Sequence, residues 1–73
     1  MDEQKLLNTF GFNVKIYRQK MQMSQDDLVD VTEFSKAYIS NVEHGKHNIS
    51  LVNAIKFAQV FGKTVDEMLK EID

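Results

Sequence analysis

Seventy-three residues with no cysteine, no proline and a formal charge of −2 describe one small domain. They exclude disulfides and cysteine-built metal sites, and the lack of cysteine fits a reducing compartment, so a cytoplasmic protein is expected. No long apolar run and no basic-then-apolar leader occur, which predicts neither a membrane span nor a secretory signal.

Apolar residues recur three and four apart, without sustained alternation, which predicts an all-α domain spanning residues 1–73. The first helix is expected over about 3–21, with Phe10, Val14, Tyr17 and Met21 on one stripe and Asp2 or Thr9 as its cap. Phe12 and Ile16 lie off that stripe, as an exposed pair or a contact for another element. Ser24 caps a second helix, about 25–32, with Asp27 answering it and Met23 and Leu28 spaced as a hydrophobic staple. The same grammar returns at Ser35, between Phe34 and Ile39, for a helix over about 36–44. It returns at Ser50, between Ile49 and Ala54, for a helix over about 51–61. Thr64 and Glu67 form a capping box for a last helix over about 65–72, and Gly45 and Gly62 stand where the third and fourth helices should end. The expected core is Phe10, Val14, Tyr17, Met21, Met23, Leu28, Phe34, Ile39, Val42, Leu51, Ala54, Ile55, Phe57, Ala58, Phe61, Val65, Met68 and Leu69.

The stretch of about 24–45 is therefore two short helices joined by a tight turn, the layout of a helix-turn-helix. With Ile39 and Val42 inward, Lys36, Ala37, Ser40, Asn41 and His44 face solvent on the third helix. Asn can bond adenine twice, Lys can donate to guanine and Ala can meet a thymine methyl. An ordinary exposed helix face has the same look. The amides of a helix N-terminus attract phosphate, and Ser24 and Gln25 stand at such an end. Lys46, His47 and Asn48 add donors just past the third helix. The acids Asp26, Asp27, Asp30 and Glu33 crowd the second helix, and Asp66, Glu67, Glu71 and Asp73 the tail, which suggests that acidity is kept off the contact face.

Met23-Ser24-Gln25, the run Ser35 to Ser40, Val42 to Lys46 and the ending Thr64 to Leu69 together resemble the Cro and phage-repressor (XRE) family of helix-turn-helix regulators, over about residues 10–69. The resemblance implies a five-helix, lambda-repressor-like DNA-binding domain. It implies that Gln25 clamps a phosphate, that Lys36, Ala37, Ser40 and Asn41 face base edges, and that Tyr38, Lys46 and Asn48 lie near the DNA backbone. It also implies an inward salt bridge between Arg18 and Glu43. Two positions depart from the family pattern. Val29 stands where a small residue is usual, and Glu33 stands where a turn glycine is usual. The length and the run Asn48 to Leu51 are similar to restriction–modification controllers within the family, and phage or plasmid repressors fit nearly as well.

The expected protein is a sequence-specific regulator binding double-stranded DNA as a homodimer, on a palindromic operator. The last helix, with Val65, Met68, Leu69 and Ile72, is the expected dimer contact, and Phe12 with Ile16 the second candidate. In some relatives an acidic patch on the second helix touches RNA polymerase, and Asp30 and Glu33 match it, although a solvated acidic face accounts for them more simply. His44 and His47 supply too few ligands for zinc. Neither a phosphate loop nor a catalytic constellation is present, so no metal, cofactor or enzyme activity is expected. The rival is a helix-turn-helix scaffold that binds a regulator or toxin instead of DNA.

Overall fold

The computed structural model describes residues 2–72, so Asp73, one of the tail acids, lies outside the described residues. Five helices follow one another: α1 Glu3–Lys20, α2 Gln25–Thr32, α3 Lys36–Glu43, α4 Leu51–Val60 and α5 Val65–Met68. Each starts at its capping residue, because a cap is a local bond between a side chain and an amide three residues on. Asp2 caps α1, and Thr9 lies inside that helix. Ser24, Ser35, Ser50 and Thr64 accept from the amides of Asp27, Tyr38, Asn53 and Glu67 at 3.0–3.1 Å. The Thr64 amide in return holds the Glu67 carboxyl below the usual carboxylate range.

The core gathers on Phe57 of α4, which is fully buried. Phe10 meets it edge-on at 6.2 Å, and Phe34 lies against it at 5.0 Å between ring centres. Val14, Leu28, Ile39 and Met68 are fully buried around it, one or more from each other helix. Burial of a side chain of this size stabilises by about 1.5–3 kcal/mol.

Helix α1 packs mainly on α3, and Gly11 is the contact point. A Cβ there would overlap the Val42 carbonyl oxygen. Gly45 ends α3 with φ +70°. Its amide bonds the Val42 carbonyl at 3.0 Å, and the next amide, Lys46, bonds the Asn41 carbonyl at 2.9 Å. The Gly45 carbonyl accepts from Gln4 of α1 at 2.8 Å, a second tie between these helices.

Several expectations need correction. Helix α5 stops at Met68, so residues 69–72 are not helical. The cause is Asn13, a fully buried residue of α1 whose amide donates to the carbonyls of Met68 at 2.6 Å and Lys70 at 2.8 Å. That amide takes the Met68 carbonyl that a continuing helix would use, and the chain closes instead with three-residue bonds at Leu69 and Lys70. Met21, Leu51, Ile55 and Leu69 are exposed rather than core, with Leu51 at 70%. Met21 stands at the end of α1, just before Gln22 turns the chain at φ 57°. On α4 and its C-cap the inward stripe is Ala54, Phe57, Ala58 and Phe61, and Leu51 and Ile55 fall off its side. Helices α1, α3 and α4 each stop one residue short of their expected ends, where a turn residue begins.

The turn between α2 and α3 keeps the left-handed geometry despite lacking glycine. Glu33 sits at φ 64°, ψ 10°, strained by about 1–2 kcal/mol relative to right-handed backbone. Thr32 helps to hold it, donating to the Leu28 carbonyl at 2.6 Å and accepting from the Phe34 amide at 3.2 Å. Val29, also unusual, is half-buried against the core without displacing either helix from its capped start.

Candidate nucleic-acid interface

Helix α3 has two unlike sides. Ile39 and Val42 point inward, at 0% and 3% exposure. Lys36, Ala37 and His44 are exposed on the other side, with Ser40 and Asn41 half-buried between them. The four residues expected to face bases therefore share one outward face.

A buried ion pair fixes how this helix sits. Arg18 donates from Nε to Glu43 Oε2 at 2.8 Å and from Nη2 to Oε1 at 3.1 Å, while Nη1 reaches the Met23 carbonyl at 2.9 Å. The two side chains are 11% and 3% exposed. Gln25 Nε2 also donates to Glu43 Oε1, at 3.2 Å. One carboxylate thus joins α1, the start of α2 and the end of α3. The two-pronged geometry resists rotation as well as separation. Neither the Met23 carbonyl nor the Gln25 side chain announces this role in the sequence.

The phosphate candidates are placed differently from one another. Ser24 is exposed, and its hydroxyl oxygen already accepts from Asp27. Gln25 is half-buried with its side chain turned to Glu43, so a phosphate would meet its backbone amide and its remaining N–H. Tyr38 is half-buried, ringed by Phe34 at 5.1 Å and His47 at 5.6 Å, and its oxygen accepts from Asn53 at 3.0 Å. The Tyr38 hydroxyl proton is left without an acceptor among the described side chains. His44 Nδ1 lies 2.7 Å from the Ser40 carbonyl, and a carbonyl only accepts, so the proton sits on Nδ1. A neutral His44 therefore offers a phosphate no donor; the imidazolium does. Lys46 and Asn48 are exposed just beyond.

One charge expectation fails. Asp26 is not kept away from the contact face: its carboxylate pairs with Lys36 Nζ at 3.3 Å, both groups largely exposed. Such a pair is worth about 0–1 kcal/mol in water, so it restrains Lys36 weakly.

Two short helices crossing at a three-residue turn, the second with its polar face outward and its base anchored on the first helix, define a helix-turn-helix domain. The helix-turn-helix family model matches residues 14–68, most of the chain. Control protein C.MunI from Mycoplasma sp. is 32% identical over 59 residues, covering 81% of this chain and 80% of that protein. The crystal structure of the hypothetical transcription factor NHTF from Neisseria superposes with a TM-score of 0.85 at 30% identity, over 97% of this chain and 82% of that one. The restriction–modification controller protein C.AhdI from Aeromonas hydrophila gives 0.77 at 31% identity, over 85% and 94%. The chain belongs to the XRE-type helix-turn-helix family of DNA-binding transcription regulators, with restriction–modification control proteins among its relatives. It is a regulator rather than an enzyme.

Proposed function

We propose that the chain recognises a specific palindromic operator as a homodimer, with α3 of each protomer in successive major grooves about 34–36 Å apart. The observation that carries this is the two-sided α3: Lys36, Ala37, Ser40 and Asn41 share an outward face, while Glu43 anchors the other side. Ser24, Gln25, Tyr38, Lys46 and Asn48, with His44 when protonated, would hold the phosphates around that face.

The second copy would cover an apolar face that this protomer leaves open. Leu51 and Ile55 of α4 and Leu69 beyond α5 are exposed, and Leu51 and Leu69 share a groove with Leu6, Ile49 and Val65. Val65, Leu69 and Ile72 remain candidates for this contact. Met68 does not, because it is fully buried in its own protomer and supports the face from beneath. Phe12, half exposed on α1 beside Ile72, is the second candidate.

Binding to duplex should weaken steeply as salt rises, since contacted phosphates release counterions. Asn41→Ala should lower sequence preference by about 1–3 kcal/mol while leaving non-specific binding nearly intact. Equal affinity of wild type and variant across all duplexes contradicts the assignment of Asn41 to a base.

The role as activator or repressor turns on α2. Asp30 and Glu33 are exposed there, open to contact with RNA polymerase. Alanine at both should abolish activation of a reporter while operator affinity stays unchanged. Full activation by that variant removes the polymerase contact. No helix among the described residues is long and apolar enough to cross a membrane.

A further inference from the structure

The segment after α3 folds back onto the helix it leaves. The bonds that close α3 at Gly45 and Lys46 bring His47 alongside Asn41. His47 Nε2 lies 3.2 Å from Asn41 Nδ2. An amide nitrogen only donates, so Nε2 accepts and the ring proton sits on Nδ1. The imidazole is itself held. It stacks on Tyr38 at 5.6 Å between centres with 27° between planes. Tyr38 in turn is held by Asn53 of α4, at 3.0 Å, and by Phe34. A line of contacts thus runs from α4 through Tyr38 and His47 to Asn41.

This matters because a carboxamide reads a base by two bonds only while its donor and acceptor are both held within reach. The major-groove edge of adenine offers a donor at N6 and an acceptor at N7, so it needs an acceptor and a donor in a set order. With one Nδ2 hydrogen given to His47, Asn41 keeps the other hydrogen and all of Oδ1 to present outward. An amide turned the other way would be met by the ring with its proton on Nε2, so the pairing holds the side chain in place in either tautomer. We infer that His47 is a positioning residue that holds the Asn41 amide in place on the outward face of α3, with one donor and one acceptor still free for adenine, and so sharpens the base preference at that point of the operator. This rests on the proposed role of Asn41 as a base contact.

Two variants separate the acceptor from the ring. His47→Phe keeps a ring to stack on Tyr38 and removes the acceptor; His47→Gln keeps an acceptor near the Nε2 position and removes the ring. The measurement is competition among four duplexes that differ at the one position whose preference Asn41→Ala flattens. His47→Phe should discriminate there about tenfold less well, roughly one bidentate base contact, with the other positions and non-specific affinity unchanged. His47→Gln should recover most of the preference. The inference is overturned if His47→Phe keeps the wild-type profile, if it weakens all duplexes equally, or if His47→Gln fails to recover what His47→Phe loses. If Asn41→Ala flattens no position, the base-contact role of Asn41 fails first and the inference falls with it. If Asn41→Ala flattens one position and His47→Phe does not, only the inference fails.

Discussion

Arg18→Ala is expected to destabilise the domain by about 3–5 kcal/mol, because it leaves the Glu43 carboxylate buried without its cation. That side chain is 3% exposed and accepts three hydrogen bonds, two of them from Arg18. The variant also loses the bond from Nη1 to the Met23 carbonyl, which fixes the link between α1 and α2. A domain of this length is stable by about 4–11 kcal/mol, so the loss is a large share of the whole. Thermal unfolding should shift down by about 12–40 °C, at about 4–8 °C per kcal/mol for a domain of this size. Replacing both partners by apolar residues, Arg18→Met with Glu43→Leu, should recover most of the stability, since no buried charge then remains. The double variant should still bind its operator poorly, because Gln25 loses the carboxylate that ties it to α3. Arg18→Ala unfolding within a few degrees of wild type would show that the pair is not what joins the three helices.

The second large effect is expected from a single methyl group. Gly11→Ala places a Cβ against the Val42 carbonyl oxygen and within 3.1 Å of the Glu43 carbonyl carbon and oxygen. These are backbone atoms of α3 and have no rotamer in which to retreat. Overpacking of this kind costs about 1–3 kcal/mol, and rigid backbone puts this site at the upper end. Alanine is the better helix former by about 1 kcal/mol, which offsets part of the cost but not the clash. The relief available is a shift of α1 away from α3, and α3 carries the proposed base contacts. Operator affinity should therefore fall even under conditions where the variant is fully folded. Denaturant titration together with operator binding checks both halves. Unchanged stability and unchanged affinity would mean that the two helices have slack at this crossing.

These two sites show what the sequence discloses and what it conceals. Helix starts are legible because Ser24, Ser35, Ser50 and Thr64 act on amides three residues away, and the structure begins each helix where they say. The two sides of α3 are legible for a similar reason: Ile39 and Val42 mark the inward stripe, and the rest follows from helical geometry. The end of α5 is not, because Asn13 sets it from a position 55 residues before Met68. Nor is the fate of Leu51, Ile55 and Leu69. Apolar spacing identifies a face that avoids water but does not say whether the chain's own core or a second molecule covers it. The Asp26 pair with Lys36 was hidden because the angle between α2 and α3, not their sequence, decides whether those side chains meet. Glu33 shows the opposite case: the family's turn geometry persists although the residue that makes it easy is missing.

The central claim is that α3 reads DNA, one copy from each half of a dimer. Selection from a pool of random duplexes at low salt tests it most directly. The expected result is enrichment of one sequence as two inverted half-sites whose centres lie one helical turn apart, about 10–10.5 base pairs. No enrichment of any duplex would contradict the claim and favour a scaffold that binds another protein. Enrichment of a lone half-site would contradict the dimer.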